Sequence, residues 1–441
     1  MDSELIQSTN GLEAPTTLET QKMVYGKGNP GTKLTEPEVF DIISSGTPKQ
    51  LYRGKRVLVL TPDATRTCPL PMLVQTVNDI IGRQCVQLDF MVALGTHPVM
   101  SESEILALYG IDGRQRQNEF KRCSFFCHRW DISGAFQRLG FLEEDDVAKF
   151  SGGLLKERVP VDINRKIFDY DLIVILGPVF PHEVVGYSGG AKYLFPGISG
   201  GEFLHFFHWL GAVITCEKII GIKDTPVRAV IHRAMRMVRL PLHCLALVVA
   251  SQRSLYGLYA GDIVEAWRQA ADLSEKIHVV YKDAPCSTVF GHAPAMYDEI
   301  WVAGKVMYKL EQVVADGGTL IIYGPHIHEV SRTWGQDIEK IGYHVRDYFL
   351  ARMDRFVHVP FGVLAHSTHV RGTGTYANGN EKPRIDVVLA TSIPEEKCRQ
   401  INLGYLDPAL INIENYRNRE EEGLLYVDHA GEILYKLHAR R

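Results

Sequence analysis

Six side chains could do chemistry together if the fold collected them: Asp63, Arg66, His97, His182, Lys192 and His208. An arginine is a planar fork suited to a carboxylate. Two histidines that reach a bound carbon from different loops, each titrating near neutrality, could give or take a proton on opposite faces. Racemisation or epimerisation needs that, because such a reaction must run from either hand. Lys192 follows Ser188-Gly189-Gly190-Ala191, a setting in which backbone N–H groups hold an anion, and its amine could also bond covalently to a carbonyl-type cofactor. Histidines on either side of an anion loop point to a ligand with both an anionic part and a metal or proton-transfer part.

Other readings compete at single positions. Asp63 would serve equally as the N-cap of a following helix, with Arg66 paired to it. A lone histidine at a strand end, such as His97, is more often structural than catalytic. His205 and His208 are three apart and share a helix face among Phe203, Phe206 and Phe207, so one could bind a metal while the other merely packs. Cys123, Cys127 and His128 lack the second pair a zinc site needs and read as a half-buried strand or loop.

The elements that must position these groups are short apolar runs. Arg56–Leu60 precedes Pro62-Asp63-Ala64-Thr65-Arg66, Phe90–Leu94 precedes His97, and Leu172–Leu176 precedes His182; each has the length and branching of a buried strand. Helical spacing covers Pro37–Ser44, Pro71–Ile81, Val227–Val238 and Ile263–Ile277, and Ser101 with Glu104 forms a capping box. Further strands are predicted at Ile214–Ile222 and Leu245–Ala250. Beyond residue 279 the pattern predicts a strand ending at Val289, a helix over Asp298–Val314, and strands at Gly318–Tyr323 and Asp386–Ala390. Lys340–Met353 continues the alternation, Thr373–Asn380 reads as an exposed loop, and the tail reads as a hairpin turning at His429–Gly431. The expected fold class is therefore α/β: two α/β domains with mainly parallel sheets and the active site in the interdomain cleft. The expected boundaries are an N-terminal arm at 1–35, with a short strand near Met23–Tyr25, then a domain at 36–278 carrying the cofactor and the histidines. A domain at 279–441 would close over the substrate.

Composition narrows the class. A chain of 441 residues, 45% hydrophobic and 23% charged, is long enough for two ordinary globular domains. Its net charge of −4 gives no reason to expect a nucleic-acid or membrane partner. No apolar run approaches the ~20 residues that span a bilayer, and the acidic, polar N-terminus is not a secretory signal. Scattered cysteines suit a reduced, cytoplasmic chain better than a disulfide framework. No G-x-G-x-x-G follows the first strand, which weighs against an NAD-dependent dehydrogenase or epimerase. A non-catalytic small-ligand binding protein would leave the loop histidines without a purpose.

Taken together, PDATR (62–66), ALGTH (93–97), PHEVVGYSGGAK (181–192) and the histidine that follows resemble the signature of the nickel-dependent lactate racemase family. The similarity runs, with gaps, from about residue 50 to at least 325. It implies a racemase or epimerase of 2-hydroxy acids built around a nickel-pincer nucleotide, Ni(II)-pyridinium-3,5-bisthiocarboxylate mononucleotide. By that resemblance Lys192 is joined to the cofactor through a thioamide, and His208 is the protein ligand to nickel. His97 and His182 are the paired acid/base groups, and Asp63, Ala64, Thr65 and Arg66 cradle the cofactor. Arg66, Lys305 and Trp301 bind the substrate, with Lys305 on a helix that closes over the site. The family's chemistry moves a hydride from the α-carbon to the cofactor and back through a keto acid that can present either face. Proteins that synthesise the nucleotide and insert nickel are implied as maturation partners. Two departures stand out: Trp301-Val302 replaces the family's Tyr-Gln, and Thr67 stands where a proline often follows the arginine. Both lie where the substrate's side chain or carboxylate belongs, so the expected substrate is lactate or a larger 2-hydroxy acid, with the larger acid favoured.

Overall fold

Short β-branched runs become the interior strands of two sheets. In the computed structural model, which describes residues 23–250 and 254–438, seven strands form the first sheet. They are β1 (Val24–Gly28), β2 (Arg56–Thr61), β3 (Gln87–Val92), β4 (Phe125–Cys127), β5 (Leu172–Pro178), β6 (Leu242–Ala250) and β7 (Ser254–Gly261). Their spatial order is β1-β7-β6-β5-β2-β3-β4, with β6, β5, β2, β3 and β4 parallel and β7 and β1 antiparallel at one edge. Leu58, Leu60, Ile173 and Ile175 enter one apolar layer, while Val57, Val59, Val174 and Leu176 enter the other. Burial on both faces is why these runs show no alternation in the sequence. The stretch on which the secretory-signal reading rests lies, up to residue 22, outside the described residues.

The direction of strand addition reverses between β2 and β5: β3 and β4 lie to one side of β2, β5 and β6 to the other. In an open parallel sheet such a reversal leaves a crevice at the carboxyl ends of the strands, where ligands bind. The loops after β2, β3 and β5 flank this point, and they carry Asp63 with Arg66, His97, and His182 with Lys192.

Three of the helices covering one face of the first sheet are α1 (Gly201–Ile214), α2 (Pro226–Met235) and α3 (Ile263–His278). The first of these is apolar on most of its circumference because it serves two cores. Phe203, Phe206, Phe207 and Leu210 belong to the first sheet's core, whereas Trp209, Ala212 and Val213 belong to the second sheet's. That second sheet is β8 (Cys286–His292), β9 (Val314–Gly324), β10 (Asp386–Thr391), β11 (Gly404–Tyr405) and β12 (Leu424–Val427), all parallel, in the order β11-β10-β9-β8-β12. Two of its helices, α4 (Ile300–Leu310) and α5 (Phe361–Arg371), face the first half of the chain. Trp209 of α1 meets Phe361 of α5 with ring centroids 6.0 Å apart.

The fold class is as expected, a mixed α/β chain with a large, mainly parallel sheet. Four local expectations are corrected. Ile214–Ile222 is no strand: α1 runs to Ile214 and a 3₁₀ turn follows at Cys216–Lys218. Lys340–Met353 breaks into short helices at Gly335–Ile341, Arg346–Leu350 and Met353–Phe356, the first stopped at Gly342, whose φ is +72°. Thr373–Asn380 belongs to a hairpin pairing Gly374–Ala377 with Asn380–Pro383, turned by Asn378 and Gly379, both at positive φ. The tail turns where expected, but its strands part company: β12 pairs with β8, and Leu434–Leu437 pairs with Val279–Lys282.

Candidate functional site

The loop after β2 folds around Asp63. One carboxylate oxygen, Oδ1, accepts from the Thr65 backbone N–H at 3.2 Å and from Thr65 Oγ1 at 2.6 Å. The other, Oδ2, is hydrogen-bonded to His97 Nδ1. Asp63 does not cap the next helix, whose N-cap is Pro69 with no side-chain bond. Burial pushes the Asp63 carboxyl up, but the hydrogen bond and charge of His97, with Thr65 and Arg66, hold it down at about 2. A carboxylate can only accept, so His97 presents Nδ1–H to it and keeps its lone pair on Nε2. Trp130 Nε1–H donates to the His97 carbonyl at 2.8 Å and fixes the loop from outside. Arg66 makes no ion pair with Asp63; its guanidinium lies 5.5 Å from the Phe180 ring centroid.

The loop after β5 is held by buried groups. Gly189 and Gly190 sit at φ +80° and +57°, and a Cβ on Gly190 would lie 3.0 Å from the Trp267 side chain. Only glycine fits there at low cost. Trp267 Nε1–H donates to the Ser188 carbonyl at 2.8 Å, and the fully buried Arg228, stacked 4.2 Å from the Trp267 ring, donates to the carbonyls of Tyr187 and Gly189. Three consecutive carbonyls are thus tied down just before Lys192. Burial, and then the nearby Arg66 cation, lower the Lys192 amine to about 7, so a large share of it is neutral and nucleophilic near neutral pH.

His182 differs from His97 in both exposure and proton placement. Its side chain is 7% exposed against 48% for His97. Nδ1 of His182 accepts from the Val184 backbone N–H at 3.2 Å, so the neutral ring carries its proton on Nε2. Burial, followed by the cations Lys192 and Arg66, holds it well below its usual range.

Helix α4 brings a row spaced by four: Trp301, Lys305 and Lys309. Trp301 packs against His366 of α5 with the rings tilted and their centroids 4.2 Å apart, and lies near Trp334. Lys305 Nζ lies 4.9 Å from the Tyr297 ring centroid. Burial lowers it to about 8, helped by Arg66 and opposed by Glu183. Lys309 is buried and donates to the Pro181 carbonyl at 2.6 Å, tying α4 to the residue before His182. Replacing Lys309 by methionine keeps the stem and removes this tether. Because removing a buried charge offsets much of the lost hydrogen bond, stability should change by no more than about 1–2 kcal/mol. Amide exchange across residues 182–190 should rise; unchanged exchange there would rule the tether out.

Helix α1 presents His205 and His208 toward α5, where a Cβ on Gly362 would lie 3.6 Å from His205 Nδ1 and 4.0 Å from His208 Nδ1. His208 is lowered to about 3 by burial and then by Lys192. Buried and without a hydrogen-bond partner among the described residues are His205 Nδ1 and both ring nitrogens of His369. Neutral imidazoles without partners are available as ligands or donors. No three His, Cys, Asp or Glu side chains among the described residues come together as a metal cage. His128 is spent on structure, accepting from Asn164 Nδ2 at 3.0 Å and donating to the Ser199 carbonyl at 3.2 Å.

The structure therefore gathers Asp63, Arg66, His97, His182, Lys192, Lys305 and His208; Asp63, His182, Lys192, His208 and Lys305 each feel the charge of at least two others of the group. Ala64 and Thr65 are exposed on the same loop, and Trp301 lies one turn from Lys305. Glu183, Lys309, His366 and His369 were not foreseen. Spacing held the signal for three of them: Lys309 is one turn past Lys305, and His366 and His369 repeat the three-residue spacing of His205 and His208.

Comparison with known proteins adds three kinds of likeness. Residues 38–219 match the lactate racemase N-terminal domain. A lactate racemase of Thermoanaerobacterium thermosaccharolyticum is 24% identical over 281 residues, 62% of this chain and 61% of that enzyme, so the match spans less than two thirds of that relative's length. One from Lactiplantibacillus plantarum is 23% identical over 316 residues, 68% of this chain and 69% of the enzyme. Among solved structures, a Thermotoga maritima protein is 32% identical with a TM-score of 0.81, covering 93% of this chain and all of that one. The Thermoanaerobacterium lactate racemase apoprotein shares the fold, with a TM-score of 0.71 at 18% identity over 92% of this chain and 94% of that one.

Proposed function

Because the chain belongs to the lactate racemase family, we propose that it is a racemase or epimerase inverting the α-carbon of a 2-hydroxy acid. The observation that carries this reading is the pair His97 and His182. They stand beyond the ends of β3 and β5, on either side of β2, with the cations Lys192 and Arg66 close to His182, one ring with a lone pair on Nε2 and the other with a proton there. One ring is set to take a hydroxyl proton and the other to give one.

The residues fit a nickel-pincer nucleotide. Lys192 supplies an amine neutral enough for a covalent link, the tied loop before it suits an anion, and His208 is a buried imidazole kept neutral, suited to nickel. A single protein ligand is what a metal held mainly by its own nucleotide asks for. When bound, the group would accept a hydride from the α-carbon and return it to either face. Arg66 and Lys305 would hold the substrate carboxylate from two sides, which fixes the α-carbon between the histidines. Asp63 would keep His97 in its tautomer and stabilise the imidazolium formed when it takes the hydroxyl proton. Trp301, braced by His366, would meet the substrate's side chain, and Val302 leaves that end without the amide the lactate enzymes carry.

We further propose that residues 36–278 and 279–441 work as two domains, the second closing on the substrate through α4. A cytoplasmic setting and maturation partners that supply the nucleotide and nickel complete the reading; no helix among the described residues is long and apolar enough to cross a membrane. The test uses protein made in a host with the cofactor pathway, a panel of single-enantiomer 2-hydroxy acids, and chiral analysis of the products. Inversion of a larger acid faster than lactate is expected. Full activity on lactate with none on larger acids would refute the substrate assignment, and no inversion by loaded protein would refute the reaction.

A further inference from the structure

We propose that Glu183 is the positioning residue that lets His182 exchange protons with substrate, as Asp63 does for His97. The inference rests on the racemase reading and deepens it. Nδ1 of His182 has two neighbours on its own loop, the Val184 N–H at 3.2 Å and Glu183 Oε2 at 3.4 Å. An amide N–H can only donate and a carboxylate can only accept, so the two neighbours select opposite states of the ring. With Val184 engaged, Nδ1 holds a lone pair and the proton sits on Nε2, a ring that can donate but not act as a base at Nε2.

Protonation of this ring can occur only at Nδ1, and the new N–H then has Glu183 as its acceptor. The cation releases its Nε2 proton to the substrate oxygen and becomes a neutral ring with Nδ1–H on Glu183 and a lone pair on Nε2. That form takes a hydroxyl proton in the reverse direction, so one proton goes out and one comes in with no movement of the ring. Without Glu183 the cation would face Lys192 on its own loop, Arg66 on the loop after β2, His208 on α1 and Lys309 on α4. Glu183 is placed to offset these by its position, with Oε2 3.4 Å from Nδ1, and its charge is felt by the surrounding Lys192, Lys305, Lys309 and His369. Asp63 is already committed to His97.

The test is side-chain nitrogen NMR on the full, cofactor-free chain labelled at histidine, comparing wild type with Glu183→Gln and Glu183→Asp. In wild type the neutral His182 should carry its proton on Nε2. In Glu183→Gln its protonation should need about tenfold more acid, and Glu183→Asp, which keeps the charge, should recover most of the difference. In loaded enzyme Glu183→Gln should lower kcat about 10²-fold with little change in KM. The two enantiomers should keep equal kcat/KM, because their equilibrium constant is one. Identical titration of His182 in wild type and Glu183→Gln, or a neutral ring protonated on Nδ1, would overturn the proposal. If the NMR differences hold while loaded wild type inverts no hydroxy acid, the proton partnership stands and the racemase reading falls.

Discussion

Lys192→Ala should abolish turnover, by at least about 10³-fold, and should do so by removing the cofactor rather than by unfolding the chain. The Arg228–Trp267 clamp acts on backbone carbonyls before Lys192, so the loop keeps its shape without the amine. Removing a buried amine lowered to about 7 also relieves a desolvation cost, so stability should not fall. Intact mass and metal analysis on protein made with the cofactor pathway check this. Wild type should carry one mass increment and about one nickel per chain, and the variant neither. An increment retained in Lys192→Ala would place the covalent link elsewhere, and loss of both together with loss of fold would leave the lysine merely structural.

Acid should unfold the cofactor-free chain well before ordinary carboxylate titration begins. Burial lowers His128, His243, His278 and His369 to about 4, and His208, His232 and His366 to about 3. A ring kept neutral in the fold but free to protonate in the unfolded chain opposes folding as pH drops. The unfolded state takes up protons below about 6.5 while the folded state waits until 3 or 4, so stability falls across that window and rises with pH through it. At pH 5 each such ring costs about 2 kcal/mol relative to pH 7. Seven together reach the order of 10 kcal/mol, comparable to the whole stability of a typical domain. Lys192, Lys305 and Lys309 do not compensate, because both states hold them protonated below about 7. Urea midpoints at pH 7, 6 and 5 should decline steeply; equal midpoints at 7 and 5 would show that the buried rings protonate in place.

The loops after β2, β3 and β5 could be read from the chain because three apolar runs each end in a polar group suited to proton or anion chemistry. The proton states of His97 and His182 could not. They follow from whether an aspartate thirty-four residues away or the amide of Val184 reaches Nδ1, and no spacing rule encodes that. Helix α5 escaped for a different reason. Val363 to Arg371 are buried without a break, so the helix has no polar face to give it a period. β7 escaped because Gly257 and Gly261 dilute its β-forming content. At the tail the turn chemistry was local and legible, whereas the choice of β8 as the partner of β12 is a long-range decision.

That choice sets a timetable. Lys305 packs where a Cβ on Gly431 would lie 3.1 Å from its own, and Val279–Lys282 waits for Leu434–Leu437 as its pairing partner. The wall behind Lys305 is therefore synthesised well after the loops carrying His97, His182 and Lys192. At roughly 5–20 residues per second, the first half can fold many seconds before the second half covers it. If Lys192 is the attachment point proposed above, loading would have its widest access before the strands at Leu424–Val427 and Leu434–Leu437 are in place, and their pairing would narrow the route.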